Sequence, residues 1–346
     1  MKTKILALLI VFFTFSSLQA QKIVALHTAT GVQFFSDDNP LQSAYAAAVD
    51  NDTLYLPGGS FAPPARFEKK LRIYGAGHYP SATTATHITK ISGDFTLSDE
   101  ADGFYLEGVE ITGGLYFDDN ESINDITFKR CRLHNVHING NRSQASENCI
   151  FQENVISGLD LRNLINSSFF NNIITGRINE ARNLTFLNNL FLLSGSYTYG
   201  VLGYANSSMI KNNVFLQEST NHAGIAGGAG QSTYSHNIVC FTYDPNNTNA
   251  FGTDPILDSN YSMTRADVLV NQTGGSFDYT HDYHLTITAQ ANLGDDGTQV
   301  GIYGGFYPWK PESIPSNPHI SSVNISNTTS ATGTIHIDIN VHAQDR

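Results

Sequence analysis

The chain has 346 residues, of which 40% are hydrophobic and 14% are charged, and acidic side chains outnumber basic ones by 31 to 19. The net charge of −12 disfavours nucleic acid and anionic membrane faces as partners, because both carry negative charge. Three cysteines, Cys131, Cys149 and Cys240, are an odd number, which argues against a disulfide framework; we expect them to be small buried apolar side chains.

Residues 1–20 predict a secretory signal peptide. Lys2 and Lys4 make the start basic, residues 5–15 are apolar, and Ala20 ends a small-residue exit. The apolar run is too short to span a bilayer, and no longer run follows it. We therefore expect a secreted or extracytoplasmic protein without a membrane span, located in the periplasm, at the cell surface or outside the cell.

Residues 21–52 predict an N-terminal cap with a helix at about residues 40–50. Proline suits the first helical turn, where Pro40 lies, and apolar side chains then fall on one helical face at Leu41, Ala44, Tyr45 and Ala48. The segment Leu54-Tyr55-Leu56 begins the first strand.

Residues 53–310 contain a repeat of about 17 to 24 residues. Asparagines fall into one column at Asn154, Asn172, Asn189, Asn213 and Asn237, which Gly108 and Cys131 extend upstream. A column three residues earlier is aromatic or aliphatic: Phe128, Phe151, Phe169, Phe186, Ile210 and Tyr234. A third column, six residues before the asparagines, reads Asp125, Asn148, Asn166 and Asn183.

These columns are typical of parallel strands that stack at about 4.8 Å. We expect the asparagine column to form corners with a left-handed backbone, which Asn tolerates better than any residue except Gly. Stacked side-chain amides would then hydrogen-bond to each other along the stack, and the flanking apolar residues would fill the interior.

This pattern resembles the pectin-lyase-like, right-handed parallel β-helix superfamily. A narrower resemblance to secreted Bacteroidota β-helix proteins is carried by "DYHLTITAQANLGDDGTQVGIYGGFYP" (282–308) and "NPLQSAYAAAVDNDTLYLPGGSF" (39–61). The resemblance implies an all-β fold, a solenoid made of a single-stranded right-handed parallel β-helix with a short N-terminal capping helix. The superfamily includes lyases, hydrolases, epimerases, adhesins and scaffolds, so the fold alone does not decide the function.

Residues 311–346 predict a terminal β-hairpin or small cap. Apolar and polar residues alternate on both sides of "NTTSATG" (327–333), which has the composition of a turn.

The polar residues of one predicted sheet suggest a functional surface. We align this sheet on six inward positions: Phe117, Ile138, Leu161, Ile178, Val201 and Ile225. The residues immediately before them, which face outward, are Tyr116, His137, Asp160, Arg177, Gly200 and Gly224. The residues immediately after them are Asp118, Asn139, Arg162, Asn179, Leu202 and Ala226.

His137, Asp160 and Arg177 are the candidate catalytic residues. Adjacent strands would hold them within about 5 Å of one another, where pKa values shift. A lyase acting on a uronic-acid polymer would use Arg177 or His137 as base and Arg162 to neutralise the substrate carboxylate. A hydrolase needs two carboxylates, and Asp118 with Asp160, about 9.6 Å apart by strand spacing, is the obvious pair.

A cross-strand ion pair without catalysis would explain the same residues. The chain also lacks, in register, the calcium-binding aspartates of pectate lyases and the catalytic stretches of polygalacturonases. We therefore favour an exported, non-catalytic protein that binds polysaccharide or a cell-surface glycan, with a polysaccharide lyase or, less favoured, a glycoside hydrolase as the alternative. Substrate contacts are expected from Tyr116, Asp118, Asn139, Arg162 and Asn179.

We expect no cofactor and no metal site. The turn "FDDNES" (117–122) has the acids of a Ca²⁺ loop without the spacing of a known one, so a solvated turn is favoured and Ca²⁺ stays an open alternative. We expect a monomer.

Overall fold

The computed structural model describes residues 22–140, 142–193, 200–217, 224–242, 244, 250–272 and 274–343, so the predicted signal peptide lies outside the described residues. Within these ranges, no helix combines the length and the apolar character needed to cross a membrane.

The described residues are mostly β. The first strands are β1 Val24–Thr28, β2 Gly31–Phe35, β3 Thr53–Tyr55, β4 Gly59–Phe61, β5 Arg72–Tyr74, β6 Thr89–Ile91, β7 Phe95–Leu97, β8 Tyr105–Glu107, β9 Glu110–Phe117, β10 Thr127–Lys129 and β11 Arg132–His137. The middle strands are β12 Ser146–Glu147, β13 Ile150–Gln152, β14 Val155–Ile156, β15 Leu159–Asp160, β16 Leu164–Ile165, β17 Ser167–Phe170, β18 Ile173–Ile174, β19 Ile178–Asn179, β20 Leu184–Leu187, β21 Leu190–Phe191, β22 Leu202–Gly203 and β23 Met209–Lys211. The remaining strands are β24 Val214–Phe215, β25 Ala226–Gly230, β26 Thr233–Ser235, β27 Ile238–Val239, β28 Phe251–Thr253, β29 Ile256–Asp258, β30 Tyr261–Ser262, β31 Leu269–Asn271, β32 Asp282–Leu285, β33 His319–Ile325 and β34 Ile337–His342. The α-helices are α1 Pro40–Ala47 and α2 Ile287–Gln290.

Helix α1 forms where the apolar spacing predicts it. Pro40, Leu41 and Ala44 are buried, and the helix packs against β1 and β2. The backbone becomes extended at Ala48, which ends the helix just before β3.

Two large sheets form the body of the protein. Sheet A has 12 strands in the order β2-β1-β3-β5-β8-β10-β13-β17-β20-β23-β26-β29, and every pairing from β3 onward is parallel. Sheet B has 16 strands, all paired in parallel. The prediction of a largely parallel all-β chain is therefore confirmed.

Strand β11 divides sheet B into two branches. Its first residues, Arg132 and Leu133, pair with β14, whereas Val136 and His137 pair with β15. We name these the Val155 branch, which continues through β18, β21, β24, β27 and β30, and the Asp160 branch, which continues through β19, β22, β25 and β28. A repeat such as β13-β14-β15 therefore gives one strand to sheet A and one to each branch.

The predicted apolar column forms the core beneath sheet A. Phe128, Phe151, Phe169 and Phe186 lie side by side on adjacent strands and are buried. Their rings stack with centroid separations of 5.2, 4.6 and 4.8 Å. Ile210 and Tyr234 continue the row, as the sequence predicts.

The asparagine column forms the predicted amide ladder. Each side-chain amide donates to the Oδ1 of the next asparagine at 2.9–3.0 Å, from Asn154 to Asn260, the last rung among the described residues and one that the predicted column does not include. Each Oδ1 also accepts from the backbone N–H of the preceding rung, beginning with Cys131. The ladder thus satisfies backbone groups that would otherwise be buried without partners.

The prediction that these asparagines have a left-handed backbone is wrong by one residue. The positive φ belongs to the preceding residue, as at Asn171 (53°), Asn188 (56°) and Asn212 (57°). In each pair the first asparagine makes the turn and the second supplies the amide. Gly108, placed with Cys131 from the sequence, instead lies beside Arg130 and shares its positive φ, because Glu107 pairs with Lys129.

The third column marks a second corner of each repeat. Asp125, Asn148, Asn166 and Asn183 all have φ between 47° and 61°. Their short polar side chains suit this conformation, which most residues avoid.

Residues 265–309 cover the outward face of the Val155 branch. The residues that follow the ladder, Val155, Ile173, Leu190, Val214 and Ile238, were expected to fill the interior, but they belong to a second buried cluster with Val300, Ile302 and Trp309. The interior is instead filled by the next residues, including Ile156 and Phe191. The outward row is apolar because the chain returns to cover it.

The predicted C-terminal hairpin is confirmed. Strands β33 and β34 pair antiparallel, with Val323 opposite Ile339 and Ile325 opposite Ile337.

Cys131 and Cys149 have the environment of buried apolar residues. All three cysteines are buried, and burial raises the pKa of both the Cys131 and Cys149 thiols to about 12. Because the thiolate is the reactive form, we expect neither to react with iodoacetamide in the native protein and both to react after denaturation. Mass spectrometry of native and denatured samples measures this, and alkylation of either residue in the native protein would contradict it.

Candidate functional site

Tyr116, His137 and Asp160 lie side by side on the outward surface of the Asp160 branch. His137 of β11 is paired with Tyr116 of β9 on one side and with Asp160 of β15 on the other. All three side chains are partly exposed, while their neighbours Leu115, Val136 and Leu159 are buried. This part of the predicted row is confirmed; we call the surface the Asp160 face.

Arg177 does not occupy the next position of the row. Asn179 is the partner of Asp160, and Ile178 is paired with Leu159 instead of Leu161. The alignment is therefore wrong by two residues at this step. Leu159 and Leu161 both point inward and are both buried, so alternation of apolar residues does not distinguish the two registers.

The next step is wrong by one residue. Ile178 is paired with Leu202, and Leu202 with Ala226, so Leu202 and Ala226 belong to the inward row where Val201 and Ile225 were expected. Val201 and Leu202 are both buried, and Gly200, with φ of 76°, breaks the regular alternation before them. The outward positions after Asn179 are Gly203 and Gly227.

Arg177 still reaches the Asp160 face through its long side chain. Its Nε donates to the backbone oxygen of Gly200 at 3.1 Å. Its Nη2 lies 2.7 Å from the position that a Cβ on Gly203 would occupy. A side chain at residue 203 would displace the guanidinium. Glycine at this position therefore makes room for Arg177 beside the row.

A cavity of about 250 Å³ opens on this surface. We call it the Asp160 cavity, and it is lined by Asp160, Arg162, Arg177, Asn179, Glu180 and Tyr204. Two predicted catalytic residues and two predicted substrate contacts therefore lie together, although the register differs from the prediction. Tyr116, His137, Asn139 and Asp118 lie on the neighbouring strands or at their ends.

Asp160 is held by Arg162 of its own repeat. Arg162 donates from Nε to Oδ1 at 3.1 Å and from Nη2 to Oδ2 at 3.0 Å, and Asn139 Nδ2 donates to Oδ2 at 3.4 Å. The hydrogen bond with Asp160 raises the pKa of the Arg162 guanidinium. In place of the expected ion pair of His137, Asp160 and Arg177, Asp160 forms a bidentate pair with Arg162 of the same repeat, which fixes the carboxylate orientation.

His137 stacks on Tyr116. Their ring centroids are 4.8 Å apart and their planes differ by 9°. The two stacked rings add a flat aromatic area to the surface beyond the cavity.

Asp118 pairs with an arginine from another part of the chain. Arg66 Nη1 lies 2.8 Å from Asp118 Oδ2 and 3.4 Å from Glu121 Oε1. Hydrogen bonds raise the pKa of the Arg66 guanidinium, with a larger effect from Glu68 than from Asp118. Within the turn considered for Ca²⁺, Glu121 lies near Asp99 and Glu100, with ligand atoms within 4.8 Å of one another.

Family models, curated proteins and solved structures were compared with the chain, and none matches it.

Glu180 and Arg182 complete the polar surroundings of the cavity. Arg182 Nη2 donates to the backbone oxygen of Arg162 at 2.7 Å, and its Nε lies 3.8 Å from Glu180 Oε2. Glu180 is not among the predicted site residues, although its position two residues before Arg182 puts both on one face of an extended segment. The sequence predicts Tyr197, Tyr199 and Tyr204 near this surface; Tyr204 lines the cavity, and Tyr197 and Tyr199 lie outside the described residues.

The arrangement provides both hydrogen-bond donors and acceptors around a half-exposed aromatic ring. Arg162, Arg177 and Arg182 donate only, whereas Asp160 and Glu180 accept only. Tyr204 contributes a ring with 44% of its surface exposed. The cavity is suited to a small polyhydroxylated or anionic group.

Proposed function

We propose that this chain is a right-handed parallel β-helix of the pectin-lyase-like type. The long parallel sheets, the repeated passage through sheet A and the two branches, and the asparagine ladder at one corner support the proposal. The N-terminal helix and the early part of the chain also follow the pattern on which the resemblance is based.

We further propose that the protein is exported and binds an acidic polysaccharide or cell-surface glycan at the Asp160 face. The observation that carries this proposal is the lining of the Asp160 cavity, where charged and amide side chains surround the Tyr204 ring. Sugar hydroxyls both donate and accept hydrogen bonds, so they match such a lining, and an aromatic ring packs against the apolar face of a sugar.

Local charge favours an acidic sugar. In the cavity lining, Arg162 and Arg177 match the carboxylates of Asp160 and Glu180, and Arg182, 3.8 Å from Glu180, adds a third positive charge beside the cavity in a protein whose net charge is −12. Arginine binds carboxylates with two parallel hydrogen bonds, so a uronate residue suits this position. We propose that the protein acts as a monomer, because the sugar site is formed within one chain.

Binding without turnover is favoured over a lyase or hydrolase. Both carboxylates of the proposed hydrolase pair, Asp118 and Asp160, are ion-paired with arginines. The orientation of Asp160 is fixed by Arg162, so its carboxylate suits positioning better than proton transfer. Catalysis stays the alternative that the binding experiment also tests.

We expect Arg177→Met to weaken binding of oligogalacturonate at least about tenfold, because a hydrogen bond to a charged group contributes about 1.5–3 kcal/mol. Isothermal titration calorimetry at low salt measures the affinity, and the wild-type affinity should fall as salt screens the charges. Arg72→Met, the same substitution at an exposed arginine of β5, is the matched control and should bind normally.

Equal affinities of the Arg177→Met and wild-type proteins for oligogalacturonate would contradict the proposal that the Asp160 cavity is the binding site. The same samples are monitored for absorbance of unsaturated uronate. Its appearance with wild-type protein, and its loss in the Arg177→Met variant, would replace the binding proposal with a lyase.

A further inference from the structure

A second cavity lies on another face of the protein, against the outward surface of sheet A. Its volume is about 180 Å³, and it is bounded by sheet A on one side and by the turn at residues 304–307 on the other. We call it the Phe306 groove and define it by Phe170, Leu187, Lys211, Asp295, Phe306 and Tyr307. Phe170 and Leu187 are neighbours on β17 and β20 and form its apolar floor.

The turn that carries Phe306 is fixed by hydrogen bonds on both sides. Asn171 Nδ2 donates to the oxygen of Gly304 at 2.8 Å, and Gly305 N donates to Thr298 Oγ1 at 2.8 Å. Beyond the turn, the Trp309 side chain is buried and the Trp309 backbone N–H donates to the backbone oxygen of Ile302 at 2.7 Å. The aromatic residues between these anchors are therefore held in place before any ligand arrives.

Gly305 allows the turn to lie close to sheet A. Its φ is 72°, a left-handed conformation, and a Cβ on this residue would lie 2.7 Å from Asn188 Oδ1. The first asparagine of the Asn188-Asn189 pair thus supports the turn, while the second belongs to the ladder.

The fixed turn leaves two aromatic side chains exposed to solvent. Phe306 is 90% exposed and Tyr307 is 46% exposed, and the Tyr307 ring lies 5.7 Å from the Phe170 ring. An aromatic ring that a rigid turn keeps exposed gives up hydrophobic stabilisation that folding would otherwise gain. Packing of the described residues therefore does not explain Phe306, whereas a ligand that covers its face does.

The rim of the groove contains both hydrogen-bond donors and acceptors. Lys211 Nζ lies 3.1 Å from Asp295 Oδ2, and Asp296 is an exposed neighbour at the same edge. Two carboxylates against one ammonium repel an acidic sugar, in contrast to the arginine-rich Asp160 cavity. Hydroxyl groups pair with carboxylates as donors and with the ammonium as acceptors.

We propose that the Phe306 groove binds a neutral sugar ring of a glycan, stacked on Phe306 and Tyr307. The positively polarised C–H bonds on one face of a pyranose are attracted to the electron-rich face of an aromatic ring. The floor of Phe170 and Leu187 receives the rest of that apolar face, and the hydroxyls turn to the rim. This site is independent of the Asp160 face, from which it differs in the charge of the sugar that it accepts.

The test measures binding of neutral gluco-, manno-, xylo- and galacto-oligosaccharides, one at a time, by calorimetry and by saturation-transfer NMR. We expect at least one of them to bind, with transfer to the ring C–H protons of the sugar. Phe306→Ala should weaken this binding about fivefold or more, the effect of one aromatic contact. The substitution spares the fold because Phe306 is 90% exposed.

Ile287→Ala is the matched control, since Ile287 is also 90% exposed but lies on α2 and does not line the groove. It should bind the neutral oligosaccharide with wild-type affinity. A Phe306→Ala protein with wild-type affinity, or the failure of every neutral oligosaccharide to bind, would overturn the proposal. Dimers of the wild type that Phe306→Ala abolishes, without sugar binding, would also overturn it and assign the groove to contact between copies.

Discussion

Replacing Arg130 by methionine is expected to lower the free energy of unfolding by about 3–5 kcal/mol, the cost of breaking a buried ion pair. Arg130 is fully buried, and its Nε donates to Glu153 Oε2 at 2.9 Å while its Nη1 lies 3.5 Å from Glu107 Oε1. Both carboxylates are also buried, so the substitution leaves two acidic groups without their cation. Removal of a buried charge from its partners costs far more than removal of a surface charge.

Arg130 also joins the C-terminal part of the chain to the sheets. Its Nη1 donates to the oxygen of Ile314 at 2.9 Å, and Glu107 accepts from Ser316 N at 2.8 Å and from Ser316 Oγ at 2.7 Å. Lys310 N donates to Glu153 Oε2 at 3.2 Å. We therefore expect limited proteolysis to cleave the Arg130→Met protein near residues 310–316 before the sheets unfold.

Urea unfolding followed by circular dichroism measures the change in stability. Arg72→Met is the control, since Arg72 is exposed on sheet A and its loss should cost less than about 0.5 kcal/mol. A triple variant, Arg130→Met with Glu107→Gln and Glu153→Gln, should recover part of the loss, because no unpaired charge is left in the interior. An Arg130→Met protein within 1 kcal/mol of the wild type would mean that the cluster is not coupled as the structure indicates.

The repeat was predictable because the ladder and the core use side chains of one type at each position. Asn172, Asn189 and Asn213 satisfy the same backbone groups in successive repeats, and Phe151, Phe169 and Phe186 fill equivalent space. Such positions remain in register whatever the length of the connections. The predicted left-handed residue is one position too far along the chain, because either of two adjacent asparagines suits that conformation and the sequence does not distinguish them.

Pairs of apolar residues in the sequence indicate that the outward face of the Val155 branch is covered, although the prediction placed both residues of each pair in the interior. Two apolar residues follow each rung, as in Val155-Ile156 and Ile173-Ile174, although a two-residue strand exposes one of them to each face. Both are buried, so something must cover the outer one. Consecutive apolar pairs in a short strand therefore indicate a covered face, and the segment that covers them must come from elsewhere in the chain.

The Asp160 face was predictable in composition but only partly in register. Tyr116 and His137 align as expected because strands β9 and β11 are long enough to fix the pairing, and Asp160 pairs with His137 at the end of β11. Strands β15, β19 and β22 have two residues each, and their connections differ in length, so the pairing depends on contacts that alternation does not encode. Arg177 does not take its predicted position in the row, and it lines the cavity only because its long side chain lies over Gly203.

Replacing Asn189 by alanine in the middle of the ladder is expected to cost about 3–5 kcal/mol of unfolding free energy, because several buried polar groups lose partners at about 1–3 kcal/mol each. The Asn189 amide donates to Phe169 O at 2.9 Å and to Asn213 Oδ1 at 3.0 Å. Its Oδ1 accepts from both the backbone N–H and the side-chain amide of Asn172 at 2.9 Å. All of these groups are buried, so water does not replace the lost partners without a cavity opening.

The cost of losing a ladder asparagine is expected to fall toward the end of the ladder. Asn260, the last described rung, donates to Tyr234 O at 3.0 Å and accepts from Asn237, but it lies at the more exposed end, so Asn260→Ala should cost less than Asn189→Ala. Asn179→Ala, on the exposed Asp160 face, should change stability by no more than about 0.5 kcal/mol. Urea unfolding of the three variants tests this order. Equal costs at Asn189 and Asn260, or a cost at Asn179 as large as that at Asn189, would contradict the expected order, because Asn189 has more buried partners than either of the other two.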